Sequence, residues 1–142
     1  MNDEIVVHLS VLIKASRSEV WNALVNPETI RKYMVGTEVV SDWTKGSKII
    51  WKGTWKGKPY QDKGQILKIE PQKLLRYSHY SPLSGLPDDQ KSYHVLTYEL
   101  TDENGQIRLS LTQDNNENQN DAHHSRTMWQ KMLDDLKRLV EK

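Results

Sequence analysis

Histidines are the side chains best suited to acid–base or metal chemistry in this chain, which contains five of them and no cysteine. His123 and His124 are adjacent in a predicted helix, where successive side chains point roughly 100° apart, so both rings cannot face one metal ion. No glutamate lies three or four positions away to complete such a site. His79 and His94 lie on neighbouring predicted strands, and we interpret them as hydrogen-bonded sheet residues rather than as a catalytic base. The histidines therefore predict no metal site and no catalytic centre.

Serine and acidic residues also lack the patterns that hydrolytic chemistry needs. Ser84-Gly85 does not have the Gly-x-Ser-x-Gly form of a nucleophile elbow, and we interpret it as a turn. The pairs Asp88-Asp89 and Asp134-Asp135 are interpreted as solvated charges. Glycoside hydrolysis requires two inward carboxylates at a set separation, and the predicted inward faces carry almost none. The sequence therefore predicts no catalytic residue and no cofactor.

Lysines interleave with tryptophans in the middle of the chain, a composition that can bind nucleic acid. Trp51 and Trp55 are surrounded by lysines at positions 45, 48, 52, 56, 58 and 63. In a strand, these tryptophans and most of the lysines fall on opposite faces, so the aromatic rings are expected to face inward. With 20 basic and 19 acidic residues, the chain has no net field that attracts nucleic acid or anionic membrane. We predict neither as a partner.

Inward aromatic and methionine side chains form the remaining candidate site. We predict that they bind a small apolar or amphipathic molecule, and the set is Trp51, Trp55, Tyr77, Tyr98, Met128 and Met132. Methionine suits a loosely specified apolar pocket because it is unbranched and polarizable. The chain has 5 Trp and 6 Tyr but no Phe, so every aromatic ring carries a polar group that needs a partner when buried. The alternative, that these residues only fill the core, stays open on equal terms.

The elements that position these residues begin with a strand and two short helices. Residues 4–14 alternate apolar and polar side chains, which predicts a half-buried strand. Ser16 and Glu19 have the spacing of a capping box, so a helix is expected to run to about Val25. Asn26-Pro27 combines an N-cap with proline at the first helical position, which predicts a second short helix. We expect Trp21, inside the first helix, to pack as core rather than to contact a ligand.

Strands then follow one another until a long C-terminal helix. Strands are predicted within residues 37–43, 46–57, 61–71, 73–80 and 92–114, the last segment being a hairpin around Asn104-Gly105. The loop 81–91, with two prolines and a glycine, is our predicted gate. The polar stretch 114–121 is predicted to be a loop that ends in a helix N-cap. From Met128 to Val140, apolar residues recur at three- and four-residue steps, which indicates an amphipathic helix.

This order of elements predicts an α+β fold. The helix must cover one face of an antiparallel sheet with its apolar stripe. A sheet that curves around a straight helix tends to leave a gap between the two, and small molecules bind in such gaps.

Three segments resemble the START-like (SRPBCC) superfamily, and the best subfamily match is the activator of heat-shock protein 90 ATPase homologue family. The opening motif is matched by Ile13, Ala15, Val20, Trp21, Ala23, Leu24, Pro27, Glu28 and Ile30. Gly64 and Ile66 with Pro71 and Leu75 resemble the central strand pair, and Trp129 with Leu133, Leu136 and Leu139 is similar to the closing helix. Tyr33-Met34 replaces a frequent Trp, and Met128 replaces a frequent Gly. Both departures would change the lining of a pocket.

The resemblance implies a helix-grip fold, in which a curved antiparallel sheet of about six or seven strands surrounds the C-terminal helix. We expect one domain over residues 1–142, with the ligand held between sheet and helix. The alternative is a co-chaperone-type interaction module that stimulates a chaperone ATPase in a bacterial stress response. A third reading is a cyclase or hydrolase that steers an aromatic substrate, for which the chain supplies no convincing nucleophile or base.

Targeting signals complete the predictions from the sequence. The N-terminal segment begins with two acidic residues and alternates apolar with polar residues, unlike a signal peptide. No apolar run approaches the roughly 18 residues that span a bilayer. The lack of cysteine fits a reducing compartment, so we predict a cytoplasmic protein.

Overall fold

The computed structural model describes residues 5–34, 36–82, 87–89, 92–116 and 119–141, and the side chains of residues 5, 55, 115, 116 and 121 lie outside that description. The elements, in chain order, are β1 (Ile5–Ile13), α1 (Arg17–Val25), α2 (Pro27–Tyr33), β2 (Glu38–Ser41), β3 (Lys48–Trp55), β4 (Lys58–Glu70), β5 (Leu74–His79), β6 (His94–Glu103), β7 (Gln106–Asn116) and α3 (Gln119–Val140). This order confirms the predicted helix-grip fold: one strand, two short helices, further strands and a long helix.

The seven strands form one antiparallel sheet in the order β1-β7-β6-β5-β4-β3-β2. Helix α3 packs on β1 and β7 at one side of the sheet and also contacts α1 and α2. Leu133 and Leu136 of α3 are completely buried against the inner face of the sheet. The core therefore lies between the curved sheet and α3, with the two short helices closing one end.

Local capping signals define the short helices, as predicted. The Ser16 hydroxyl accepts a hydrogen bond from the Glu19 amide at 3.2 Å, and the Glu19 carboxylate accepts one from the Ser16 amide at 3.1 Å. The Asn26 side chain accepts from the Glu28 amide at 2.9 Å and caps α2. Trp21 is half-buried against the core, which agrees with its predicted packing role.

Two tight turns with left-handed residues connect β6 to β7 and β3 to β4. Asn104 and Gly105 have φ values of 52° and 82°, which confirms the predicted hairpin. Lys56 and Gly57 have φ values of 50° and 80° and join β3 directly to β4. The sequence analysis missed this second hairpin and began the strand near residue 61, so β4 is longer than predicted.

The boundary between β7 and α3 also differs from the prediction. Strand β7 continues to Asn116 because it pairs with β1 as far as Ile5, and α3 is already helical at Gln119. Most of the polar stretch 114–121 is therefore the end of a strand and the start of a helix rather than a loop. Pairing with β1 outweighs the local preference of asparagine for turns.

Asp88, in the described part of the predicted gate 81–91, lies on the outer face of the sheet. Asp88 pairs with Lys63 and accepts a hydrogen bond from the Tyr93 hydroxyl at 2.8 Å. Lys63 is an exposed β4 side chain on the face opposite Asp62 and Ile66. Asp88 and Asp89 thus border the outer face beside Lys63, and residues 83–86, 90 and 91 lie outside the description.

No helix in the described ranges has both the length and the apolar character that crossing a bilayer requires.

Gly64 sits where two strands approach too closely for any side chain, which generates a testable prediction. A Cβ atom added there would lie 1.7 Å from the carbonyl oxygen of Ser78 on β5. Because that atom is backbone, the conflict requires the strands to separate. We expect Gly64→Ala to lower the free energy of unfolding by about 3 kcal/mol, measured by urea denaturation. Gly36→Ala is the control, since its Cβ would meet nothing within 4 Å and only its φ of 75° adds strain. Equal losses in the two variants would contradict this explanation.

Candidate functional site

A cavity of about 280 Å³ lies between the inner face of β3, β4 and β5 and the side of α3. An engineered apolar cavity of ~150 Å³ in another protein holds benzene, so this volume admits a molecule larger than one ring. Its wall is mostly apolar, with a few polar groups. The lining residues are Tyr33, Met34, Thr37, Trp51, Tyr60, Asp62, Tyr77, His79, Met128, Trp129, Lys131, Met132 and Asp135.

Strand alternation and helical spacing place these side chains. The neighbouring strands β3, β4 and β5 present Trp51, Asp62 and Tyr77 on the same inner face. Along each strand every second side chain points to this face. On α3, the lining residues recur at three- and four-residue steps and so share one side of the helix. The tip of α2 and the segment leading to β2 close the remaining side.

The predicted ligand-binding residues separate into three groups. Trp51, Tyr77 and Met132 line the cavity and are more than nine-tenths buried, while Met128 lines it with half of its surface exposed. Tyr98 does not line this cavity, because it lies behind Tyr77 and borders a separate void of about 20 Å³. The backbone of Trp55 is in β3, but its side chain lies outside the described residues.

Several lining residues escaped the sequence prediction. Tyr60 was missed because the strand was predicted to begin at residue 61. Asp62 lies inside the predicted strand and was missed although it alternates inward with Gly64 and Ile66. Trp129 was expected on the inner stripe of α3 but not as a wall residue. The others are Thr37, His79, Lys131 and Asp135. Tyr33 and Met34 were expected from the family resemblance to change the lining of a pocket, and both line the cavity.

His79 and Asp62 form a hydrogen-bonded pair in the cavity wall. His79 Nε2 lies 2.9 Å from Asp62 Oδ2, and the two side chains are only 20% and 14% exposed. The imidazole also meets the Trp51 ring edge-on, with centroids 4.9 Å apart. Asp62 Oδ1 is fully buried without a hydrogen-bond partner. Asp62 corrects the expectation that the inward faces carry almost no carboxylates.

His79 and His94 are register partners on β5 and β6, as the sequence suggested, but their rings have different partners. The His94 ring donates from Nδ1 to the backbone carbonyl oxygen of Asp114 at 2.9 Å. His94 is therefore a hydrogen-bonded sheet residue, which agrees with the prediction, whereas His79 belongs to the cavity.

Buried tyrosines make the back of the cavity neutral. The hydroxyls of Tyr77 and Tyr98 are 3.0 Å apart, and the Tyr33 hydroxyl donates to the carbonyl oxygen of Ala23 at 2.6 Å. Burial raises the pKa of Tyr33 and of Tyr77 well above the usual value, and it raises the pKa of Tyr98 to about 12. Because the phenolate forms are disfavoured, these side chains present uncharged hydroxyls at any physiological pH.

Apart from Asp62 on β4, the charged side chains that line the cavity are Lys131 and Asp135 of α3, at its mouth. Lys131 and Arg138 both pair with Asp135, and hydrogen bonds from Lys131 first and Arg138 second hold the pKa of Asp135 below its usual value. Asp135, predicted to be a solvated charge, is thus engaged in an ion-pair cluster. His123 and His124 are exposed on α3, and no three metal-ligating side chains converge anywhere in the described part of the chain.

The buried tyrosines predict how stability depends on alkaline pH. A raised pKa in the folded state means that the protonated form is favoured there, so this stabilisation is complete below pH 10 and is lost as pH rises towards 12. For Tyr98 alone the loss is about 3 kcal/mol. Denaturant titrations between pH 9 and 12, with phenolate absorbance recorded in parallel, measure both quantities. Full ionisation of all six tyrosines at pH 10.5 in a still-folded protein would refute the burial argument.

Known proteins share this architecture over nearly the whole chain. The solution structure of ChR145 from Cytophaga hutchinsonii is 48% identical, with 99% of this chain and 97% of that chain covered and a TM-score of 0.89. The Aha1 dimer from Colwellia psychrerythraea is 20% identical, with 96% of each chain covered and a TM-score of 0.76. CalU16 from Micromonospora echinospora is 22% identical, with 96% of this chain and 75% of that chain covered and a TM-score of 0.72.

None of the curated proteins compared with the chain matches it. A family model described as activator of Hsp90 ATPase homolog 1-like protein matches residues 14–141, which include both short helices, the sheet from β2 to β7 and all of α3. The resemblance stated from the sequence is thereby confirmed, and the chain belongs to the family of activator of Hsp90 ATPase homolog 1-like proteins.

Proposed function

We propose that the protein binds a small apolar or amphipathic molecule in the cavity between its sheet and α3. The observation that supports this proposal is the cavity of about 280 Å³, which remains open although several of its lining side chains are more than nine-tenths buried. Interiors are normally packed with few voids larger than a water molecule. A space of this size, walled by Trp51, Tyr77 and Met132, has the character of small-molecule sites.

The composition of the wall favours an amphipathic ligand with an aromatic or alicyclic body. Trp51 and Tyr77 have ring centroids 5.1 Å apart and offer a continuous aromatic surface. Met128 and Met132 provide flexible side chains on the helix side, and the half-exposed Met128 stands where a ligand would enter. The polar groups of β4 and β5 supply a place for a hydroxyl or similar group.

A second candidate function is a co-chaperone-type module that stimulates a chaperone ATPase. Its support is the description of the family model and the name of the Colwellia psychrerythraea structure. Under this alternative, the protein raises the ATPase rate of an Hsp90-class chaperone when mixed with it at micromolar concentrations. An unchanged rate, together with no retention of the chaperone in a pull-down, would eliminate it.

Location and biological setting remain proposals. The absence of cysteine favours a reducing cytoplasm, and a role in a bacterial stress response follows only if the co-chaperone alternative holds. An enzyme acting on an aromatic substrate stays a weaker hypothesis.

Filling the cavity tests the ligand-binding proposal. We expect 2-naphthol to bind the wild-type protein and to shift the indole N–H signals of Trp51 and Trp129 in ¹⁵N–¹H spectra, because both rings line the cavity. The signal of Trp21, which does not line it, should stay in place. Met132→Trp adds bulk inside the cavity and is expected to weaken binding at least tenfold.

Val40→Trp is the matched control, since Val40 is 46% exposed on β2 and does not line the cavity. It adds the same indole outside the site and should leave affinity unchanged. Equal affinity of both variants for 2-naphthol, or no shift of the two cavity indoles at millimolar compound, would refute the proposal.

A further inference from the structure

We infer that the pair formed by His79 and Asp62 is the polar recognition element of the cavity and that it selects ligands carrying a hydroxyl or N–H donor. This inference rests on the proposed ligand-binding function and specifies the chemical class of the ligand. It concerns residues that neither the fold nor the family description assigns to any role.

The hydrogen bond between the two side chains fixes which imidazole nitrogen carries the proton. An ionised carboxylate can only accept, so His79 Nε2 donates to Asp62 Oδ2 across 2.9 Å. In the neutral ring the other nitrogen, Nδ1, is then a hydrogen-bond acceptor. Asp62 thus acts on the ligand site through His79, as a positioning residue that holds the ring and its tautomer.

Nδ1 of His79 is open to the cavity. No described residue forms a hydrogen bond with this atom, and the only fully buried side-chain polar atom without a partner in the described ranges is Asp62 Oδ1. Nδ1 therefore keeps accessible surface. Because His79 is on the inner face of β5 and lines the cavity, we assign that surface of Nδ1 to the cavity.

The atoms of His79 and Asp62 that lack a hydrogen-bond partner are both acceptors. Nδ1 offers one lone pair, and Asp62 Oδ1 is a further acceptor that is fully buried. Elsewhere in the wall, the Tyr60 hydroxyl is engaged with Thr37 at 3.0 Å and the Tyr77 hydroxyl with Tyr98. A ligand hydroxyl at the edge of the imidazole, in the plane of the ring beside Nδ1, would supply the missing donor.

Charge narrows the ligand class further. The negative charge of Asp62 opposes a ligand carboxylate at this end of the cavity, and Lys131 at the mouth is already paired with Asp135. An ether or a hydrocarbon has no donor to offer. The class that fits is a neutral alcohol or phenol on an aromatic or alicyclic body, with the ring held against Trp51 and the hydroxyl donating to His79.

Two compounds that differ in one group test the inference: 2-naphthol and 2-methylnaphthalene, in which a methyl replaces the hydroxyl. Titrations followed by the Trp51 and Trp129 indole signals give both dissociation constants. We expect the wild-type protein to bind 2-naphthol at least tenfold more tightly than 2-methylnaphthalene. His79→Phe keeps a ring of similar shape without an acceptor, so the ratio of the two dissociation constants should fall below about threefold.

Two variants of Asp62 test whether its hydrogen bond to His79, rather than its packing in the wall, is needed for the preference. Asp62→Asn retains an oxygen that accepts from Nε2 and should preserve the tenfold preference, whereas Asp62→Leu removes the orienting bond and should reduce it. His94→Phe is the matched control, because that histidine is bonded to the backbone of β7 and does not line the cavity. If His79→Phe does not fold, the contrast between the two Asp62 variants carries the test.

The outcomes distinguish this inference from the function on which it rests. Equal binding of both compounds by the wild-type protein, or an undiminished preference in folded His79→Phe or Asp62→Leu, would overturn the inference and leave the proposed function standing. Binding of neither compound would overturn both.

Discussion

The position of α3 over one side of the sheet is the constraint on which the rest of the structure depends. Its apolar stripe packs on β1 and β7, at the end of a sheet whose other strands run on through β6 and β5 to β2. One straight helix cannot cover seven curved strands. In the described part of the chain, the flank of α3 and the tip of α2 cover the inner face of β3, β4 and β5, and the volume left between them is the cavity.

The unusual aromatic composition has a structural explanation in this arrangement. Buried tyrosines and tryptophans need partners, and the fold provides them: Tyr33 reaches a carbonyl of α1, Tyr77 reaches Tyr98, and the indole of Trp129 donates to Gln113 at 2.9 Å. The last of these bonds ties α3 to β7. The polar atoms of these aromatic residues thus join helix to helix, strand to strand and helix to strand within the core.

Sequence reasoning succeeded where short-range chemistry decides the structure. The capping box at Ser16, the N-cap at Asn26 and the turn at Asn104 each depend on neighbours a few residues away, and all three are present. Sequence reasoning failed where pairing between strands that are distant in sequence determines the structure. The extension of β7 to Asn116 depends on β1, and no local rule anticipates the left-handed φ of 57° at Trp43.

In the candidate site too, local patterns were predictable from the sequence and contacts between distant segments were not. Trp51 and Tyr77 follow from strand alternation, which is visible in the sequence. The pairing of Asp62 with His79 requires knowing that β3 turns at Lys56 and that β4 lies beside β5, so the partners are not evident from spacing. Tyr98 was placed on the correct face, yet the Tyr77 ring stands between it and the cavity, which only side-chain packing reveals.

The pairing of β1 with β7 joins segments from opposite ends of the chain, whereas every other strand pair is formed by successive strands. Loop-closure entropy is therefore concentrated in this single step, and such non-local pairing slows folding. Strands β2 to β7 can pair in succession, each with the next strand along the chain, before β1 pairs with β7. The cavity lies between the central strands and the last helix, so it is complete only once β1 has paired with β7 and α3 has packed on both.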